Sequence, residues 1–489
     1  MTGTTRHAQE IDMALDNAVI VAYLLGMVAM GWWGMRRATT KSEYLVAGRR
    51  LGGPMYSGTM SAIVLGGAST VGGVGLGYKF GISGAWLVLA IGLGILLLSA
   101  AYARRIQRLR VYTVSDMLDI RYGGSSASVS GVVMWAYALM LTVTSLGASS
   151  TIFKVLFGFD RWSSILLAGG IVVLYSVLGG MWSISMTDIV QFVVKTIGIL
   201  FLLLPFALIK AGGFEGMRQR LAASAFDFTA IGTDTIVTYL VIYTLGLLIG
   251  QDIWQRVFTA RTPAVATWGG ITSGLYCVIY AFAGALIGMA TKALYPDLPS
   301  RDDAFATAVE NLLPMGVRGL VLAAALAALM STSSGALIAA STVAANDIWP
   351  RLIKRAAAAK DDVHANRMFT LVLGVVAVVL AILIEGVVAA LTVAYNLLVG
   401  GLLVAIVGGM VWKRGNRQGA LASMITGVVT VVVVMFTAGL EANEVIYYGL
   451  GVSLVSYVLV SLLTPPTDKA VLEHWNSRVN GEHKEESPA

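Results

Sequence analysis

The chain has 489 residues, 57% hydrophobic and 12% charged, with a formal net charge of +7. A soluble globular chain is about 45–50% apolar and about 25% charged, so this one cannot cover itself with polar groups in water, but it can satisfy its backbone as helices in lipid. Its cations lie between apolar runs rather than on one face, which argues against a nucleic-acid partner, and a lone cysteine, Cys277, excludes an intramolecular disulfide.

Apolar stretches of about 20 residues suffice to cross a hydrocarbon core of about 30 Å. The pattern predicts thirteen crossings in an all-α integral membrane protein. The first, roughly 16–35, follows a polar start with Glu10, Asp12 and Asp16 and lacks the basic flank of a cleavable signal, so it reads as a retained helix. The next three are 54–76, 80–103 and 126–153, and the fifth and sixth are 162–180 and 187–209. After a polar loop at 210–232 come 233–253, 264–294 and 317–343, then 368–385 and 387–411. The last two are 418–438 and 444–464, followed by a tail, 465–489, expected to be mobile.

Lys and Arg concentrate in the linkers after odd-numbered crossings: Arg36 to Arg50, Arg104 to Arg121, Arg256 and Arg261, Arg351 to Arg367, Lys413 to Arg417, and the tail. By the positive-inside rule this puts the N-terminus outside and the C-terminus in the cytoplasm of a plasma (inner) membrane protein.

Three segments stand out chemically. In the second crossing, residues 61–78 hold five glycines between Gly66 and Gly75. Each glycine favours unwinding by about 1 kcal/mol relative to Ala, and a break at Gly66–Gly67 would free carbonyls near Ala62 and Leu65. Freed carbonyls in lipid need partners, and a bound cation is one. The glycines alone leave open a close-packing face without a break. The ninth crossing carries four consecutive hydroxyls, Ser331 to Ser334, with the Ala328 carbonyl one turn before Ser331 and Thr332. Hydroxyls that bond back to their own helix are the alternative. At the sixth crossing Asp188 follows Thr187. An acid within a span usually faces a partner or an ion path, though it could equally cap its helix. Lys195 lies two turns further along the same face.

The four histidines, His7, His364, His474 and His483, lie in termini or linkers, and no phosphate-binding loop is present. Metalloprotease, haem-ligand and Ser–His arrangements therefore lack support. The expectation is a non-enzyme, without organic cofactor, driven by an ion gradient.

These segments resemble, in order, the sodium/solute symporter family, which includes proline, pantothenate and sialic-acid carriers and sodium–glucose cotransporters. The resemblance covers roughly residues 40–430. It rests on Tyr44-Leu-Val-Ala-Gly48-Arg49, Thr113-Val-Ser-Asp116-Met, Gly179-Gly180 to Gln191, Gln255-Arg256, Ala328 to Ser334, and Trp412 to Ala420. It implies a LeuT-like core, an inverted five-plus-five helix repeat whose first helix is broken. One helix precedes the core (1–53), the repeats span 54–209 and 233–411, and two helices follow (412–464). It implies a sodium site on Ala62, Leu65, Ala328, Ser331 and Thr332, and a second on Asp188 and Ser334, where Gly335 stands in place of a further hydroxyl.

For the solute, the positions best placed to line a pocket are Ser69, Thr70, Tyr137, Tyr243, Thr244 and Asn396, with ordinary helix packing as the alternative for the tyrosines. The sugar carriers' Gln is Ser69 here and their aromatic gate in the seventh crossing is lacking. The proline carriers' Trp, Tyr and Pro fall on Thr244, Leu248 and Asp252. The expectation is therefore a sodium-coupled symporter, working as a monomer in the bilayer, for a monocarboxylate or an amino-acid-like compound rather than sugar or proline. A proton-coupled carrier is the nearest alternative; a channel and a transporter-like sensor are more distant ones.

Overall fold

The computed structural model describes residues 3–314, 316–352, 363–384, 387–440 and 442–482. Lys354, Arg355, Lys360 and Lys484, counted above for orientation, and the end of the tail lie outside these residues. Every regular element among the described residues is helical, and the β-type pairing is a single parallel bridge between Leu51 and Ala260.

Ten helices among the described residues are long and apolar enough to cross a membrane, and the pair Thr233–Leu247 and Gln251–Thr259, bent by 44°, makes an eleventh. Two continuous helical stretches, Ala68–Leu109 and Arg161–Lys210, run to 42 and 50 residues. At about 1.5 Å per residue a straight helix of either length would be about twice the ~30 Å hydrocarbon thickness. Neither is straight. Gly81 (φ +64) turns the first, and Gly180 (φ +52, ψ −137) turns the second. A side chain at Gly180 would be strained by its φ and would also collide with Tyr44.

The Arg318–Val343 helix is the core of the molecule. Its most apolar window is wholly buried, and it packs against Gly3–Met35, Gly124–Phe157 and Arg161–Lys195. Small residues, Ala323 to Ala325, Ala327 and Ala328, permit that close approach. At the periphery the polarity is inverted: Phe436, Leu463, Ile209, Leu25 and Trp268 are exposed, as lipid-facing side chains must be.

Most of the segments that carried the resemblance are joints. The Tyr44 hydroxyl lies 3.2 Å from the Ser176 carbonyl and 3.0 Å from Thr370 Oγ1, pinning the Lys41–Val46 helix beside the Gly180 turn. Thr113 and Asp116 form a reciprocal capping box at the start of Val114–Tyr122. Gln255 Nε2 donates to the Leu45 carbonyl (2.8 Å) and to Thr342 Oγ1 (2.9 Å). Arg121 is fully buried and donates to the Gly409 (3.1 Å), Trp412 (3.2 Å) and Gly415 (3.0 Å) carbonyls.

One face is laced shut by such bonds. Arg49 reaches the Val111 (2.9 Å) and Phe258 (3.3 Å) carbonyls, and Gln251 accepts from Val114 N–H (2.8 Å) and donates to the Tyr112 carbonyl (3.0 Å). On the same face residues 469–480 of the tail form a helix rather than a mobile segment. Its Trp475 is buried and Arg478 donates to the Leu109 carbonyl (3.1 Å).

Candidate functional site

The Gly53–Val64 helix stops at Leu65, whose φ −105, ψ 68 is not helical, and the chain winds again through a π-helical turn at Ala68–Gly72. The break thus falls one residue before the expected Gly66–Gly67. The glycines serve proximity as well as looseness. A Cβ on Gly66 would collide with Thr332 Oγ1, and one on Gly67 with the Leu329 side chain, so their absence lets the Arg318–Val343 helix seat against the break.

The freed carbonyls meet the hydroxyls expected to answer them. Ser331 Oγ is 2.9 Å from the Ala62 carbonyl and 3.0 Å from that of Ala328. Thr332 Oγ1 is 2.8 Å from the Ile63 carbonyl and 3.3 Å from that of Ala328. Ala62, Ala328, Ser331 and Thr332 therefore converge on one spot. Leu65 joins them through a residue the sequence reading left unassigned: Lys195 Nζ donates to the Ala62 (3.1 Å) and Leu65 (3.0 Å) carbonyls. Lys195 is fully buried, ends the regular Arg161–Lys195 helix where a π-helical stretch, Thr196–Leu203, begins, and has no ion pair among the described residues. The Tyr280 ring lies 6.0 Å from its Nζ. The available signal was a lone lysine midway along an apolar run.

Asp188 does not cap a helix; it sits inside one, fully buried. Its Oδ2 accepts from Arg256 Nη2 (3.0 Å) and from the Thr59 hydroxyl, while Oδ1 has no partner among the described residues. Ser334 bonds back to the Ser331 carbonyl (3.2 Å). A Cβ on Gly335 would lie 2.9 Å from Arg256 Nη2, so the missing side chain at 335 leaves room for the guanidinium beside Asp188.

A cavity of about 500 Å³ adjoins the break, walled by Gly66, Ser69, Thr332, Tyr243, Asp252 and Tyr395, and it reaches Arg161 and Asp302. Of the six solute candidates, Ser69 and Tyr243 line it. Thr70 Oγ1 instead pairs with the Tyr280 hydroxyl (2.9 Å), and Thr244 Oγ1 donates to the Ala90 carbonyl (2.8 Å). Tyr137 stands one layer behind and donates to Asp252 Oδ1 (3.3 Å). Asn396 is buried, with no partner for Oδ1 among the described residues. Two wall residues were missed. Tyr395 meets Tyr137 and Tyr243 edge-on, with ring centroids 5.4 Å away in each case. Asp252, read earlier only as a departure from the proline carriers, enters the wall from the first turn of Gln251–Thr259, where the helix dipole favours its negative charge.

Gly66 and Thr332 belong to both features. The cavity and the oxygen cluster share a wall.

Residues 44–427 match the family model described as "Sodium:solute symporter family". The high-affinity proline transporter PutP of Bacillus subtilis is 25% identical over 92% of this chain and 98% of its own length. The sodium/pantothenate symporter of Escherichia coli is 27% identical over 83% of this chain and 88% of its own. Among solved structures, a Na+-coupled sialic acid symporter in a substrate-bound, outward-open state superposes with a TM-score of 0.82 at 18% identity, covering 93% of this chain and 98% of that one. MhsT in complex with L-phenylalanine superposes at 0.55 and 14% identity, over 83% and 97%.

Proposed function

Since the chain belongs to the sodium:solute symporter family, we propose that it is a secondary active symporter that imports a small organic solute by alternating access. It is a multi-pass membrane carrier, not an enzyme. Counting the two overlong stretches as two crossings each and the bent pair as one, with Gly53–Val64 taken as the first half of the crossing that resumes at Ala68, gives thirteen. On that count the broken helix at Leu65 and the bent one at residues 248–250 open two inverted five-helix repeats. The N-terminus is outside by the Lys/Arg bias, and the carrier works as a monomer.

The observation that carries this reading is the wall shared by the cavity and the oxygen cluster at Gly66 and Thr332. Coupling requires that one ligand's site respond to the other's, and here one side chain, Thr332, serves both. The clefts of broken helices are where carriers of this architecture hold ligands.

An amino-acid-like solute is favoured over a monocarboxylate, because the cavity offers the Asp252 carboxylate to an ammonium group as well as the Arg161 guanidinium to a carboxylate. Sugar and proline are disfavoured by Ser69, Thr244, Leu248 and Asp252. Two proline transporters of Bacillus subtilis, PutP and OpuE, are 25% and 27% identical to this chain.

Family membership supports sodium as the coupling ion, and the carbonyl and hydroxyl donors suit it. One observation favours a second reading, proton coupling on the same fold: an ammonium, that of Lys195, already stands on two of those carbonyls. Uptake of a panel of amine-bearing solutes into proteoliposomes, with Na+ replaced by K+ at constant pH, separates the two. Sodium coupling predicts collapse of uptake. Proton coupling predicts that uptake persists and is lost on adding a protonophore. Uptake indifferent to both gradients would sink the symport reading.

A further inference from the structure

The expected sodium ligands are neutral oxygens, the right chemistry for a small hard cation. Room is the other half of the fit. Ala62 and Leu65 direct their carbonyls at Lys195 Nζ, 3.1 and 3.0 Å away, and Ser331 Oγ lies against the same Ala62 carbonyl. A second unit positive charge on these oxygens would sit beside the first inside a buried site, where like charges repel strongly. The residues do not fit a sodium ion while the ammonium is there.

The ammonium has what a bound cation needs: two carbonyls, with the Tyr280 ring 6.0 Å away. A buried charge is costly unless paired or hydrogen-bonded. Lys195 has no carboxylate within ion-pair distance among the described residues. Asp188, on the same helix, is engaged by Arg256 and Thr59. What offsets the charge is the end of the Gly53–Val64 half-helix: carbonyls that lost their helical partners at the break, together with the negative pole of the helix dipole. These are the groups that would hold a free cation. The lysine therefore does the electrostatic work of an ion with a tethered one.

We infer that Lys195 is the resident cation of this site: its ammonium takes the place of a sodium ion between the broken helix and Ser331, so that the wild-type site does not bind sodium. The inference rests on reading the break as the carrier's cation site, but it concerns ion binding and can be tested without solute.

The experiment measures saturable radiosodium binding and thermal stability of the purified full-length protein in NaCl against choline chloride, at fixed pH and ionic strength. The wild type is expected to show no saturable binding and no sodium-specific rise in Tm that depend on Ser331. Lys195→Ala should gain both, with a Tm rise of a few degrees, because removing the side chain frees the carbonyls. The double variant Lys195→Ala/Ser331→Ala should lose them again. Lys195→Ser carries the same expectation with a polar group retained, should the alanine variant fail to fold. Saturable sodium binding by the wild type that Ser331→Ala abolishes would overturn the inference. So would a folded Lys195→Ala or Lys195→Ser protein that binds no sodium, since the lysine would then be only a helix cap. Failure of the solute-uptake assay would count against the symport reading and leave these binding results as they stand.

Discussion

On the proposed reading, Asp252 is the side chain on which recognition of an amine-bearing solute most depends. It is buried, held by the Tyr137 hydroxyl, and set in the cavity wall by the first turn of its helix. Asp252→Asn keeps shape and hydrogen-bonding capacity while removing the charge. A hydrogen bond to a charged group contributes about 1.5–3 kcal/mol, so the concentration of an amine-bearing solute giving half-maximal uptake should rise roughly tenfold to a hundredfold. Uptake kinetics check this, and an unchanged value would remove Asp252 from the recognition site. At this scale the sequence was informative where chemistry is local. Ser331, Thr332 and Ala328 lie on one helical turn, and their convergence follows from spacing. Lys195 could be placed on a face with Asp188, but the direction of a long flexible side chain depends on the helix it meets, here one that shares no sequence neighbourhood with it. Tyr395 escaped for the same reason, since an aromatic in an apolar run looks like packing until its neighbours are known.

Between elements, glycine decides what can approach what. Gly66 and Gly72 both lie along the cavity, yet a Cβ at 66 would meet Thr332 while one at 72 would meet nothing within 4 Å. Gly66→Ala is expected to cost about 1–3 kcal/mol by overpacking and to abolish most uptake. Gly72→Ala should be tolerated or should stabilise slightly, as Ala for Gly in a helix does by roughly 1 kcal/mol. Thermal unfolding and uptake of the two variants decide the matter, and equal behaviour would contradict the seating of Thr332 against the break. The broken helix was legible because glycines cluster there. The bend at 248–250 was not, since Gly246 and Gly250 are spread through a segment that otherwise reads as one apolar run. The tail helix at Lys469–Asn480 was missed because its anchors, Trp475 and Arg478, find their partners in the distant Ala103–Leu109 and Val114–Tyr122 region.

For the whole molecule, the cavity reaches toward Arg161 and Asp302, while the opposite face is closed by Arg49, Gln251 and Gln255. Gln251→Ala removes two hydrogen bonds that bridge the Gln251–Thr259 helix to residues 112–114. At about 1 kcal/mol each, their loss should shift the balance toward opening of that face by roughly tenfold to thirtyfold. The check is a Ser69→Cys reporter in a Cys277→Ser background, labelled with an impermeant thiol reagent in vesicles of each orientation. Gln251→Ala should speed labelling from the laced face and slow it from the other, and no change would mean these bonds do not hold the face shut. The apolar crossings were legible from composition, because lipid imposes length and hydropathy directly. The two long helical stretches turn near the breaks read between 54–76 and 80–103 and between 162–180 and 187–209, but the left-handed backbone at Gly81 and Gly180 that makes each turn was not legible.

The position of Lys195 also bears on voltage. A membrane potential does work of about 2.3 kcal/mol per 100 mV on each elementary charge that crosses the bilayer. A cation released to one side after being captured from the other harvests that work. An ammonium anchored to the Arg161–Lys195 helix is never released as an ion. As long as Lys195 keeps its proton, the oxygen cluster it occupies carries no net charge across the membrane in a transport cycle, and the current the protein generates is borne by the solute or by an ion moving elsewhere; under proton coupling the charge carried there is that of the proton Lys195 exchanges.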